Sequence, residues 1–258
     1  MHGTLAITAV HDRYLGVTPS NRRSVQESYH WSQCTVLFNK FLQQSIQERH
    51  KDPLWATAGI TAILTFASIN TCPLEEAWPL GAPELSDLEW VRLGAAKMAL
   101  WQLIDPLRPN SVFRPMYETL ACMRRQLPTV GTDGVGSKLK DVCELNDSST
   151  QENNAYFSVA HSLSRLLGLP QDESPQGRVM TVLGHMHKEF GTCLEKKDPV
   201  ALLLLSLWYT KAREAYWWID LRARQELPAI CAFLQRYHRE NKAIQALIPW
   251  DEAKALAY

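Results

Sequence analysis

Two short stretches of the chain carry residue types that could do chemistry. His185-Met-His187 could ligate a metal ion, and the sequence GTDGVGS at 131–137 resembles a phosphate-binding loop. On a helix, residues two apart point about 200° away from each other, so the two imidazoles are poorly placed for one ion. A phosphate-binding loop needs a preceding strand and a Gly-Lys-Ser/Thr ending, and the sequence provides neither. We therefore predict no metal site and no cofactor.

The cysteine and serine residues form no recognisable catalytic or zinc-binding pattern. No Gly-x-Ser-x-Gly elbow occurs, and no CxxC pair occurs that would predict a zinc site or a redox dithiol. The start of the chain does not resemble a signal peptide. Dispersed free thiols are typical of a reducing compartment, so we predict an intracellular protein, cytoplasmic or nuclear. The cysteines are Cys34, Cys72, Cys122, Cys143, Cys193 and Cys231.

The charge and hydropathy of the chain argue against nucleic acid and a membrane as partners. Lys plus Arg and Asp plus Glu both number 27, so the chain lacks the positive field that attracts nucleic acid. The longest apolar run, Val200–Tyr209, is much shorter than the roughly 20 residues of a membrane span. We predict no nucleic-acid binding by this chain and no membrane span, with Val200–Tyr209 as a buried core helix.

Capping signals predict where several helices begin. Three Ser-to-Glu spacings fit the capping box: Ser24–Glu27, Ser86–Glu89 and Ser149–Glu152. Two Asp-Pro pairs place an N-cap carboxylate before a proline at the first helical position, Asp52-Pro53 and Asp198-Pro199. These signals predict helices from about Val25, Pro53, Asp87, Glu152 and Pro199.

The hydrophobic pattern predicts an all-α fold. Apolar residues recur at helical spacing in several segments, whereas no segment alternates apolar and polar residues long enough for a sheet. The polar, glycine-rich stretch at about 129–154 predicts a flexible loop, and Pro228 predicts a kink or a break in the last long helix. We expect one irregular multi-helix domain over residues 1–258 with an internal hydrophobic pocket.

Aromatic and methionine side chains are the best candidates for contacting a ligand. They favour either ordinary core packing or a pocket for a bulky apolar molecule, and the sequence leaves both interpretations open. The second interpretation predicts a pocket lined by aromatic and methionine side chains, with one histidine as a polar contact. The predicted ligand-binding residues are Met98, Trp101, His185, Met186, Trp208 and Trp217.

Several longer strings carry a resemblance that covers most of the chain in order. The first is HGTLAITAVHDRY at 2–14, and the others include ESYHWSQ at 27–33 and EEAWPL at 75–80. DPLRPNSVF at 105–113 and DPVALLLL at 198–205 continue the series. Together they resemble the C-terminal regulatory domain of fungal binuclear zinc-cluster transcription factors, with sterol-uptake control proteins as the most similar members.

The resemblance implies a helical domain that senses an apolar small molecule, such as ergosterol in the sterol-responsive members. In that family an N-terminal six-cysteine zinc cluster reads DNA. This chain departs from the pattern because it has no such cluster and no basic linker. A sterol-, terpenoid- or polyketide-like ligand is the expectation that follows.

Three functions remain open at this point. The first is a small-molecule-binding regulatory domain. The second is a stand-alone paralogue that acts as a cofactor-free cyclase or isomerase in fungal secondary metabolism, where a shaped pocket and a few hydrogen bonds could suffice. The third is a scaffold for a homodimer. No residue of the sequence stands out as catalytic.

Overall fold

The computed structural model describes residues 1–17, 23–69, 71–117, 127–170, 173–186 and 189–256, apart from two side chains in the fourth helix. Within these ranges the chain is all-helical and has no strand, as predicted. Two 3-10 turns, Leu74–Glu76 and Arg114–Met116, accompany the α-helices. The α-helices are α1 (His2–Tyr14), α2 (Val25–Leu42), α3 (Glu48–Phe66), α4 (Glu89–Ile104), α5 (Ser137–Val142), α6 (Phe157–Leu167), α7 (Gln176–His185), α8 (Glu189–Glu195), α9 (Pro199–Ala215), α10 (Trp217–Tyr237), α11 (Lys242–Gln245) and α12 (Trp250–Leu256).

Two of the predicted helix caps are confirmed. The Ser24 hydroxyl accepts the backbone N–H of Glu27 at 3.0 Å, and α2 begins at the next residue after the serine. One carboxylate oxygen of Asp198 accepts the backbone N–H groups of Val200 and Ala201 at 3.0 and 2.9 Å. Both caps satisfy donors that the first turn of a helix leaves without a partner.

The predicted cap at Asp52 is wrong. Helix α3 begins at Glu48, upstream of the Asp-Pro pair, and Pro53 lies inside it. The Asp52 carboxylate instead accepts the Ser111 hydroxyl at 2.8 Å and the Val112 backbone N–H at 3.0 Å. The carboxylate therefore holds the loop after α4, because its partners lie far away in the sequence.

The other two predicted capping boxes are also wrong. The Ser86 hydroxyl donates to the Glu84 carboxylate at 3.3 Å, and the Ser149 hydroxyl accepts the Asn146 backbone N–H at 2.9 Å. Both hydroxyls thus stabilise local turns, which compete with helix caps for the same side chains. Neither α4 nor α6 has a side-chain cap, and α6 begins at Phe157 rather than at the predicted Glu152.

The glycine-rich stretch at 129–154 contains a short helix and part of the core. Helix α5 lies within it, and the side chains of Leu139, Val142, Cys143 and Leu145 are buried. Burial raises the pKa of the Cys143 thiol to about 12. The composition of this stretch predicted a flexible loop because glycine and polar residues outnumber these apolar positions.

Helices α9 and α10 pack against each other in the main hydrophobic core. Leu202–Leu205 of α9 are completely buried, and α9 also contacts α6, α7 and α8. Helix α10 contacts α1, α3 and α12, and it runs through Pro228 without a break. Within the described ranges no helix is both long and apolar enough to cross a membrane.

A buried polar network lies in the middle of this core. Arg222 and Glu226, one turn apart on α10, form an ion pair that is almost completely buried. The Arg222 guanidinium also donates to the carbonyl oxygens of Phe66 and Asp87, at 2.6 and 3.1 Å. The Tyr209 hydroxyl donates to the Glu226 carboxylate at 2.6 Å. The network therefore joins the end of α3, the turn before α4, α9 and α10.

Each member of this network compensates for the burial of another member. Burial raises the pKa of the Glu226 carboxyl, and Arg222 and Tyr209 offset part of that rise. Burial also raises the pKa of Tyr209 well above its ordinary value, and the Glu226 carboxylate adds to the effect. Removing one member therefore leaves a buried charge or hydroxyl without its partner.

We expect the substitution Arg222→Met to lower the free energy of unfolding by about 3–5 kcal/mol, because it leaves Glu226 buried and unpaired. Urea denaturation followed by circular dichroism measures the change. Arg224→Met is the matched control on the same helix, since the Arg224 side chain is half exposed in its ion pair with Asp220. This control is expected to cost about 1 kcal/mol or less. Equal losses in the two variants would contradict the central role of Arg222.

A second substitution tests the cap of α9. Asp198→Ala removes the acceptor for two backbone N–H groups, so the free energy of unfolding is expected to fall by about 1–2 kcal/mol. Ser86→Ala, at a serine that caps no helix, is expected to change it by less than about 0.5 kcal/mol. The same urea denaturation compares the two variants, and a loss in Ser86→Ala as large as in Asp198→Ala would show that the cap is not the cause.

Candidate functional site

A polar cleft opens between the start of α6, the end of α7 and the start of α8. Its enclosed space is about 20 Å³, and about 320 Å³ is empty when the open solvent at its mouth is included. The lining combines two amides, a hydroxyl, an imidazole and a carboxylate with one aromatic ring. The lining residues are Gln151, Asn154, Ala155, Ser158, His185, Glu189 and Phe190.

The rim of the cleft is fixed by Asn154 and its neighbour Tyr156. The Asn154 amide donates to the carbonyl oxygen of Cys143 at 3.0 Å, and its oxygen accepts the Tyr156 backbone N–H at 2.9 Å. The Tyr156 hydroxyl in turn donates to the Asp198 carboxylate at 2.9 Å. The same aspartate caps α9, so these bonds hold the entry of α6 against the helix at the centre of the core.

Ser158 lies on the first turn of α6 and carries a buried hydroxyl oxygen that has no hydrogen-bond partner among the described residues. One turn later, the Ser162 hydroxyl donates to the carbonyl oxygen of Ser158 at 2.8 Å. A buried hydroxyl left without a partner costs about 1–3 kcal/mol. Ser158 is thus a polar group of the cleft whose hydrogen bonding is incomplete.

The groups around Ser158 suit the recognition of a small hydrogen-bonding molecule. His185 ends α7, and Glu189 begins α8, so an imidazole and a carboxylate reach the cleft from two helix ends. An imidazole can donate and accept a hydrogen bond, and a carboxylate accepts several. Phe190 is buried and adds an apolar surface. This set can bind a hydroxyl or carbonyl group beside a short apolar segment.

The structure places two of the predicted ligand-binding residues in the main core. Met186 directly follows α7 and is 1% exposed, and Trp208 is completely buried on α9. The Trp208 indole N–H donates to the carbonyl oxygen of Val179 at 3.1 Å. Trp101 lies instead in a separate small cluster, where its ring meets the ring of Trp55 edge-on at 5.1 Å.

The remaining predicted residues lie elsewhere. Trp217, at the start of α10, packs edge-on against the His11 ring of α1 at 4.8 Å. The side chain of Met98 and the whole of His187 are outside the described residues. Of the predicted residues whose side chains the structure describes, only His185 lines the polar cleft. No group of three or more His, Cys, Asp or Glu side chains in the described ranges could hold a metal ion.

No family model matches this chain, and no curated protein or solved structure is significantly similar to it. The resemblance to the regulatory domain of fungal zinc-cluster transcription factors therefore stays a prediction from the sequence.

Ser158, Asn154 and Glu189 line the cleft but were not among the residues predicted from the sequence. Of the three, Asn154 had the clearest sequence pattern, because an asparagine shortly before a helix often closes a local turn with its side chain. Ser158 had no such pattern, since the sequence around a serine in an apolar helical stripe does not show whether its hydroxyl has a hydrogen-bond partner. Its role depends on the ends of α7 and α8, which are distant in sequence.

Two serines on α6 give a matched test of the incomplete hydrogen bonding. Ser158→Ala removes an unpaired buried hydroxyl, so the free energy of unfolding is expected to stay unchanged or to rise by up to about 1 kcal/mol. Ser162→Ala removes a paired hydroxyl and is expected to lower it by about 1 kcal/mol. Urea denaturation measures both, and a larger loss in Ser158→Ala than in Ser162→Ala would mean that the Ser158 hydroxyl has a partner.

Proposed function

We propose that this chain is a regulatory domain that binds a small molecule, as in the fungal zinc-cluster transcription factors that its sequence resembles. The observation that carries the proposal is the polar cleft that Ser158 and His185 both line, because the Ser158 hydroxyl has no hydrogen-bond partner in the part of the chain that the structure describes. A ligand that hydrogen-bonds to Ser158 would satisfy a group that the folded chain leaves incomplete, and this gain would favour binding.

The dimensions of the cleft narrow the class of ligand. Ligand sites commonly measure about 300–1,000 Å³, whereas the enclosed space of this cleft is about 20 Å³, enough for about one water-sized group. It accommodates a single hydroxyl or carbonyl group, so the body of a larger ligand would lie at the open mouth of the cleft. We propose a molecule with an apolar body of the sterol, terpenoid or polyketide kind. Its hydroxyl or carbonyl end would contact Ser158 and His185, beside the ring of Phe190.

A second candidate function is a cofactor-free isomerase or cyclase. The observation that favours it is that an imidazole and a carboxylate, from His185 and Glu189, line the same cleft. Such groups can take and give protons at a bound intermediate when they are held within hydrogen-bond reach of it. Binding in the cleft is common to both functions, so a binding experiment comes first.

Native mass spectrometry of the protein purified from a fungal host tests the proposal. We expect a non-covalent adduct in the wild-type spectrum and a loss of at least about tenfold in its intensity for Ser158→Ala and His185→Gln, since each loses a ligand contact. Trp101→Phe, in the separate small cluster, is the control and is expected to keep the adduct. The thermal midpoint of each free variant checks that it is folded.

The outcomes separate the two functions. Recovery of the extracted ligand with an unchanged chromatographic retention time after long incubation supports a regulatory domain. Conversion of the ligand by wild type, and not by His185→Gln, to an isomer of the same mass but a different retention time supports the enzyme. An adduct retained by both cleft variants, or lost equally in Trp101→Phe, would contradict binding in this cleft.

A further inference from the structure

Two histidines meet where α1 packs against α2, on a part of the molecule remote in sequence from the cleft. His2 is the first residue of α1, and His30 lies on the second turn of α2. Their Nδ1 atoms are 2.9 Å apart, and their rings are tilted by 41° with centroids at 5.1 Å. Both residues are partly exposed, so solvent reaches the pair.

Gly3 allows the first turn of α1 to approach α2 closely. A Cβ atom at this position would lie 3.1 Å from the Cys34 sulfur and 3.2 Å from the Cγ2 atom of Ile60. Both distances are tighter than ordinary van der Waals contact, so a larger residue would require the Cys34 and Ile60 side chains or the helices that carry them to shift by a few tenths of an ångström. The absence of a side chain at Gly3 therefore keeps the histidine next to it within reach of α2.

The spacing of the two nitrogens fits two positions on one metal ion. A metal–imidazole bond measures about 2.0–2.1 Å, and at that length a nitrogen separation of 2.9 Å corresponds to an angle of about 90° at the metal. Adjacent ligands in square-planar or octahedral coordination make this angle. Tetrahedral zinc would need the nitrogens to move apart to about 3.3 Å. Square-planar coordination by nitrogen and oxygen is typical of Cu²⁺ and Ni²⁺.

We propose that His2 and His30 form a two-histidine binding site for a divalent transition metal, with Cu²⁺ preferred and Ni²⁺ next. Water completes the coordination, because the described residues offer no third His, Cys, Asp or Glu ligand. The site crosslinks the first turn of α1 to α2. It is independent of ligand binding in the cleft and of the function proposed for it.

Metal binding by both Nδ1 atoms needs no additional group to accept a proton. In the hydrogen-bonded pair of neutral imidazoles, one Nδ1 carries a proton and the other accepts it. Metal binding needs both Nδ1 lone pairs, so the first ring carries its proton on Nε2 in the complex.

Isothermal titration of the metal-free full chain with Cu²⁺ alone, at pH 7.5 in a weakly coordinating buffer, tests the site. We expect about one ion per chain and an affinity at least about tenfold lower in both His2→Gln and His30→Gln, because each keeps a single imidazole. His50→Gln is the matched control, since His50 is another accessible histidine, close to the Arg49 side chain. Its affinity is expected to stay within about twofold of wild type.

Two further measurements keep the result unambiguous. Far-UV circular dichroism confirms that each variant is helical before titration, and the thermal midpoint should rise with Cu²⁺ in wild type but not in His30→Gln. If Cu²⁺ were bound by His2 and the backbone near Met1 without His30, its affinity would be unchanged in His30→Gln. Unchanged affinity in that variant, an equal loss in His50→Gln, or no binding to wild type would each overturn the proposal.

Discussion

The buried ion pair between Arg222 and Glu226 is the interaction on which the rest of the fold depends. A guanidinium inside an apolar core is tolerated only when its donors are used, and here two backbone carbonyls and a carboxylate use them. The carbonyls belong to the end of α3 and to the turn before α4, which are far from α10 in sequence. The ion pair therefore fixes how α3 and the turn before α4 pack against α10, in addition to any stability that it contributes.

A series of hydrogen bonds continues from this centre to the cleft. Tyr209, which donates to Glu226, lies on α9, and the same helix is capped at its start by Asp198. Asp198 holds the Tyr156 hydroxyl at the entry of α6, beside Asn154 on the rim. The cleft is thus linked by hydrogen bonds to α9, a helix of the main hydrophobic core. Its polar groups come from the ends of α7 and α8, from the first turn of α6 and from the connection between α5 and α6, which the hydrogen bonds of Asn154 hold in place.

Local chemistry explains which sequence predictions succeeded. The caps at Ser24 and Asp198 were predictable because donor and acceptor lie within three residues of each other. The cap at Asp52 was not, because a hydroxyl and an N–H more than fifty positions away compete for its carboxylate. The all-helical class followed from periodicity, which many residues share. Ser158 of the cleft could not be predicted, because nothing in the sequence shows that its hydroxyl has no partner among the residues that the structure describes.

Helix α3 takes part in two separate hydrophobic clusters. Near its start, Leu54 and Trp55 pack with Trp101 and Ile104 in the small cluster, whereas Phe66 at its end belongs to the main core. Local opening costs less free energy where fewer buried contacts must be broken. The two ends of this one helix therefore differ in local stability within the described part of the chain. We expect the backbone amides near the start of α3 to exchange their hydrogens faster than those of its last turn, where Arg222 binds the Phe66 carbonyl oxygen.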